Sequence, residues 1–345
     1  MFRKILVPMD GSNISEGIAG WTTSFARPIG AEMILLAVVD PGKIPMPDRP
    51  SFGTRTEESR LHPAAAATPG PQTGVLTLEP FADSGPPQLA PATGTQLVDS
   101  AVASADSYLV HQAHRLTANG LKVATRVVIG QPARQIIDQA TALDADLIAM
   151  ATHRESPVAR GILGSVTDRV MHLSTVPVLA VHPKGHAALD LGATPPRVIF
   201  VPLDGSELSA SVTPIAIDLA RAFGARMEFL SVVWRYYGVG WPEKEWSPTE
   251  RGAPPARDEI FRYLDKFVGD ANSHGVTAHA RALFGSPASR IIEESGAVEG
   301  ALIVMSTRGA SGFARWALGS VADKVVRSSG HPVLVVPPYT TRPDW

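Results

Sequence analysis

The sequence predicts an α/β fold built twice, as two tandem open parallel sheets covered by helices on both faces. Three observations predict it. The first is internal repetition. Ile5–Ser12 (ILVPMDGS) recurs as Ile199–Ser206 (IFVPLDGS) at an offset of 194, and Gly164–Val170 (GSVTDRV) recurs as Gly319–Val325 (GSVADKV) at an offset of 155. Both copies keep this order and end in Pro-Val-Leu, at 177–179 and 332–334. A repeat of this kind signals one supersecondary plan used more than once. The second observation is alternation of short apolar runs with longer helical patterns in each copy. The third is that the runs are nearly continuous in apolar residues, as in Glu32–Val39 (EMILLAVV). Strands buried on both faces of a parallel sheet read this way.

In the first copy Lys4–Met9 is an apolar strand, and Ser15–Ile29 carries Ile18, Trp21, Thr22 and Phe25 at helical spacing. After the strand Glu32–Val39 come a helix around Gln96–Ala118, a strand Lys122–Ile129 and a helix Pro132–Thr141. A strand Asp146–Ala151, a helix from Ser165 and a last strand Val176–Val181 complete the copy. The second copy has strands Arg197–Leu203, Arg226–Val233, Thr277–Leu283, Ala301–Ser306 and Pro332–Val336. Its helices fall near Leu208–Phe223, Arg257–Ser273, Pro287–Ser295 and Ser320–Ser328.

The pattern divides the chain into a first domain 1–184, a linker 185–196 and a second domain 197–345. His182–Pro196 holds Gly185, Gly192 and three prolines and shows no periodicity. The first domain carries an insertion, 41–95, with 11 of the chain's 30 prolines and the alanine run Ala64–Ala67. Its place follows from spacing. Val38 to Gly130 spans 92 residues and Val232 to Gly285 spans 53, and the difference of 39 equals the change in offset from 194 to 155. A loop this long is unusual in a compact domain, so partial disorder or a surface flap is expected. The matching stretch of the second copy carries Trp234, Tyr236, Tyr237, Trp241 and Trp246, expected to pack over the domain or a partner.

A length of 345 residues fits about two domains, each able to bury its own core. A net charge of −2 offers no general attraction for nucleic acid or an anionic membrane. Cysteine is absent, which excludes disulfides and thiolate chemistry. Phe2–Val7 is too short for a signal peptide's apolar core, and no apolar run approaches the roughly 18–20 residues of a membrane span. A cytoplasmic protein is expected.

Ligands of open parallel sheets bind outside the carboxyl ends of the strands, where strand order reverses. Three features converge there in each copy. Asp10-Gly11-Ser12 and Asp204-Gly205-Ser206 follow the first strand. Either the serine caps a helix, favoured by the acid, or the carboxylate accepts hydrogen bonds from a ribose or base. Ser306-Thr307-Arg308-Gly309 precedes Gly319-Ser320 by nine residues, and Ala151-Thr152-His153-Arg154 precedes Gly164-Ser165 by nine. A glycine, a serine and a helix N-terminus form a phosphate site. Ser165-x-x-Asp168 and Ser320-x-x-Asp323 also have capping-box form, which needs no ligand. Gly130-Gln131-Pro132 and Gly285-Ser286-Pro287 are most simply turns with proline opening a helix.

Together these residues resemble the universal stress protein family over both halves. The resemblance rests on the order ILVPxDGS, an apolar strand ending in Val-Val, GxP, G-x2-G-x9-G-S and a closing PVLVV. It implies a Rossmann-like fold, similar to the adenine nucleotide alpha-hydrolases. Two tandem doubly wound open parallel five-stranded sheets, strand order 3-2-1-4-5, would pack as a pseudo-dimer, with the last strands (Pro177–Val181, Pro332–Val336) available for pairing between the domains. In the family's ATP-binding branch the glycine motif wraps phosphates and ribose. Carried across, Gly309, Gly319 and Ser320 would meet the phosphates, Asp204 the nucleoside, and Pro202 and Val232 the adenine, with Ser306 also in the nucleotide-binding set. The first copy would use Pro8, Asp10, Val38, Ala151, Arg154, Gly164 and Ser165. Ser306 replaces the leading glycine of the second copy, while Ala151 and Arg154 replace both in the first. If the second glycine needs positive φ, a Cβ there costs roughly 1–2 kcal/mol. An arginine also obstructs close backbone approach, although a guanidinium can bind a triphosphate.

The resemblance therefore implies a stress-response protein that binds ATP, with or without Mg²⁺, mainly in the second domain. It would act by nucleotide-dependent association or signalling, and chains would pair again into a homodimer. A slow ATP hydrolase and a nucleotide-independent scaffold are the alternatives. The sequence contains no G-x4-G-K-[ST] loop, no G-x-S-x-G elbow and no convincing nucleophile or general base. His111 and His114 share a helix face, which solvation explains more simply than a metal.

Overall fold

The computed structural model describes residues 1–44, 94–118, 120–152, 163–182, 194–233, 257–307 and 318–338. Most of the insertion and of the linker, and the aromatic stretch from Trp234, lie outside the described residues. The first copy runs β1 (Lys4–Met9), α1 (Asn13–Ile29), β2 (Glu32–Val39), a short 3-10 turn (Pro41–Lys43), α2 (Gly94–Thr117), β3 (Val123–Ile129), α3 (Pro132–Ala142), β4 (Leu147–Ala151), α4 (Ser165–Leu173) and β5 (Val178–Val181). The second runs β6 (Val198–Pro202), α5 (Glu207–Ala210), α6 (Thr213–Phe223), β7 (Arg226–Val233), α7 (Arg257–Ser273), β8 (Ala278–Phe284), α8 (Pro287–Gly296), β9 (Ala301–Ser306), α9 (Ser320–Ser328) and β10 (Val333–Val336).

Each half has the strand order 3-2-1-4-5 with all neighbours parallel. As the resemblance implies, the halves pair through their last strands. They join into one ten-stranded sheet, β3-β2-β1-β4-β5-β10-β9-β6-β7-β8, through an antiparallel β5–β10 pair. Val178, Leu179 and Ala180 face Val335, Leu334 and Val333. Leu179 and Leu334 are counterparts at the offset of 155, so a pseudo-two-fold axis passes between them. The reason is physical. All residues of β5 and of β10 are buried, and an edge that apolar is stable only when another strand covers it.

Two cores lie on opposite faces of the sheet, and each draws residues from both halves. One holds Phe25 of α1 and Phe229 of β7; the other holds Ile136 of α3 and Ile291 of α8. Across the seam, the Phe25 and Phe223 rings meet edge to face at 5.2 Å. Fully buried side chains of this size contribute roughly 1.5–3 kcal/mol each.

One predicted helix divides. The periodicity over Leu208–Phe223 continues through a break between Ala210 and Thr213. Pro214 has no N–H to donate to the Ala210 carbonyl, so the first turn closes separately. The prolines of the first strands matter more for function. β1 stays paired with β2 as far as Met9, but its pairing with β4 stops at Leu6, short of Pro8. β6 stays paired with β7 to Pro202, but leaves β9 after Phe200. Proline supplies no ladder donor, and the sheet opens between the strands where order reverses.

Candidate functional site

The turn after each opening strand is built the same way twice. Gly11 and Gly205 have φ of 79° and 87°, a left-handed conformation that favours glycine. Asp10 Oδ1 accepts from the Ser12 N–H at 3.0 Å and the Ser12 hydroxyl at 2.6 Å. Asp204 Oδ1 accepts the equivalent bonds from Ser206 at 3.0 and 2.6 Å. Ser12 caps α1 by accepting from the Ser15 N–H, and Ser206 caps α5 by accepting from the Ser209 N–H. Capping is therefore real at this feature. Partial burial pushes the Asp10 carboxyl up, but bonds from Ser12, Ser15 and its own backbone outweigh burial and hold it below the usual carboxylate range. The acid stays charged and fixed beside the opening in the sheet.

The second feature behaves differently. Gly164, with φ −60° and ψ 141°, is the N-cap of α4, and Gly319, with φ −65° and ψ 150°, is the N-cap of α9. Neither makes a side-chain cap bond. Ser165 and Ser320 are the first residues inside their helices, which overturns the capping-box reading. The first bonds of the helices run from the Asp168 N–H to the Gly164 carbonyl and from the Asp323 N–H to the Gly319 carbonyl, both 2.8 Å. The preceding amides start each helix without a capping side chain. Such donors, at the positive end of a helix, suit an anion.

These helix starts open onto cavities. In the second domain a cavity of about 190 Å³ is lined by Pro202, Asp204, Val232, Ser306, Gly319 and Ser320 among others. In the first a cavity of about 570 Å³ is lined by Pro8, Asp10, Val38, Ala151, Gly164 and Ser165 among others. The fold thus brings together every predicted site residue within the described residues. Gly309 and Arg154 lie outside them, as do His153 and Arg308.

Sequence reasoning missed the apolar floor. Leu36, Pro132, Ile136 and Met150 line the first cavity, and their counterparts Leu230, Pro287, Ile291 and Met305 line the second. Nothing in an apolar residue distinguishes a cavity wall from core, although the repeat aligns these positions. The prolines of the GxP turns do open helices, but they also face the cavities. Asp40, and Lys43 and Ile44 from the start of the stretch assigned to the insertion, extend the first cavity. Each site thus combines apolar walls for a flat ring, a fixed carboxylate for hydroxyl or amine groups, and uncapped amides for an anion. Among the described residues no three histidines or acids cluster to hold a metal ion, and His111 and His114 are exposed.

A model of the universal stress protein family matches residues 1–182 and again 196–337. The chain belongs to this family. A universal stress protein of Methanocaldococcus jannaschii is 36% identical over 141 residues, which cover 41% of this chain and 81% of the relative. One from Mycolicibacterium smegmatis is 28% identical over 243 residues, 67% of this chain and 76% of its own. The crystal structure of a universal stress protein from Archaeoglobus fulgidus superposes with a TM-score of 0.63, spanning 98% of this chain and 97% of that one. At 19% identity this likeness shows the fold alone. No helix among the described residues is long and apolar enough to cross a membrane.

Proposed function

We propose that this universal stress protein binds ATP or a related adenine nucleotide at the carboxyl ends of its strands, principally in the second domain. One observation carries the reading. Two helices start with glycine and no side-chain cap, and their first residues line cavities that also hold a fixed aspartate. The adenine would lie between Pro202 and Val232, with Asp204 on the nucleoside and Ser306, Gly309, Gly319 and Ser320 toward the phosphates. Pro8, Val38, Asp10, Ala151, Arg154, Gly164 and Ser165 would serve the first domain in the same way.

The ranking of the two sites rests on Gly309 against Arg154, because the cavities themselves do not favour the second domain. The first is the larger. Any Mg²⁺ would be carried chiefly by the phosphates, since no acid cluster among the described residues supplies a ligand set. Nucleotide binding would control association or signalling in the stress response. A homodimer of chains would need a surface other than the last strands, which the internal seam already occupies.

Isothermal titration with ATP–Mg²⁺ tests the reading. Asp204→Ala is expected to remove most of the binding and Asp10→Ala less. Two equal sites per chain would refute the ranking. No heat of binding and no thermal shift at excess nucleotide would favour a nucleotide-independent scaffold.

A further inference from the structure

Asp168 and Asp323 lie in the first turns of α4 and α9, three residues after the serines that line the cavities. A carboxylate there favours the helix but repels an anion bound at the same N-terminus. One guanidinium answers both acids. Arg327, in the last turn of α9, donates through Nε to Asp323 Oδ1 at 2.7 Å and through Nη2 to Asp168 Oδ1 at 2.6 Å. The second bond crosses the seam between the domains. The counterpart of Arg327 in the first copy, at the offset of 155, is His172. Its Nδ1 donates to the Asp168 carbonyl at 2.7 Å and stands 3.8 Å from Asp168 Oδ2. Among the described residues, the first copy therefore has an imidazole where the second has its guanidinium. The three side chains of the bridge are only 27–38% exposed, so water screens their charges less than at an open surface pair.

We propose that Arg327 is a positioning residue for both nucleotide sites. By holding Asp168 and Asp323 it lowers the negative field at the two helix starts and admits phosphate groups. It thereby sets the preference for a charged nucleotide over an uncharged nucleoside, and the first domain's site depends on a side chain of the second. This inference rests on the adenine-nucleotide reading above. A mere strut across the seam would change stability but not the ratio of ATP to adenosine affinity.

The test is titration of the full chain with ATP and, separately, with adenosine. Arg327→Gln is expected to weaken ATP about five- to tenfold at both sites, with adenosine affinity held within about twofold. Arg327→Lys should keep most of the ATP affinity. Adding Asp168→Asn and Asp323→Asn to Arg327→Gln should restore it. Asp168→Asn alone, which leaves Arg327 in place, should hold or raise ATP affinity at the first site. Equal losses for ATP and adenosine, no loss of either, or failure of the neutralised variant to recover would overturn the inference. A fall in ATP affinity in Asp168→Asn would do the same. A wild-type chain that binds neither ligand overturns the nucleotide reading itself, and this inference with it.

Discussion

An aspartate at the open start of α9 should separate binding from folding. Gly319 has φ −65° and ψ 150°, which any residue adopts, so Gly319→Asp carries no left-handed strain. As an N-cap, aspartate improves on glycine by a few tenths of a kcal/mol. Its charge at the positive end of the helix adds about 0.3–1 kcal/mol. The side chain would take the amide donors of Val321 or Ala322, which an incoming phosphate needs, and would repel that phosphate. Losing one charge-assisted hydrogen bond of about 1.5–3 kcal/mol already weakens binding by about ten- to a hundredfold. The expected variant is at least as stable as wild type, by up to about 1 kcal/mol, and binds ATP at least tenfold more weakly in the second domain. Urea denaturation measures the first quantity and calorimetric titration the second. Unchanged ATP affinity, or a stability loss above about 1 kcal/mol, would refute the argument that the helix is left uncapped for a ligand. Gly164→Asp, at φ −60° and ψ 141°, should act likewise in the first domain.

Other consequences concern the frame around the sites. Gly11→Ala should cost about 1–2 kcal/mol by denaturation, all of it backbone strain, because a Cβ there meets nothing within 4 Å. Phe25→Ala should cost about 3–5 kcal/mol and Leu334→Ala about 2–5 kcal/mol, with both domains still melting in one transition. Two separated calorimetric transitions in the wild type would speak against a shared core. Asp10 titrates below the usual carboxylate range, so its stabilisation is present above that range and lost as pH falls through the folded value. Ser12→Ala should move the Asp10 carboxyl upward in an NMR titration, and an unmoved midpoint would show that Ser12 does not hold it.

Strand positions were legible because strands covered on both faces of a sheet read as apolar runs. Lys4–Met9, Glu32–Val39, Arg226–Val233 and Ala301–Ser306 fall where those runs place them. The break before Thr213 was harder, since periodicity carries across a missing hydrogen bond that Pro214 alone dictates. The family resemblance and an apolar last strand implied pairing between the domains, but not the register that sets Leu179 opposite Leu334. At the site, repetition isolated Asp10, Gly164 and their counterparts. It also suggested a capping box at Ser165 because N-cap and first helical residue differ by one position, and Gly164 takes the former. The Arg327–Asp168 bond joins residues 159 apart with no local signal, so only the seam reveals it.

Nucleotide held at the two uncapped helices is the central claim. Mass spectrometry of small molecules released from freshly purified, denatured chain tests this most directly. An adenine nucleotide is expected, at up to two per chain, with Gly319→Asp lowering the yield more than Gly164→Asp. Release of no nucleotide, together with no thermal stabilisation by excess ATP–Mg²⁺, would contradict it.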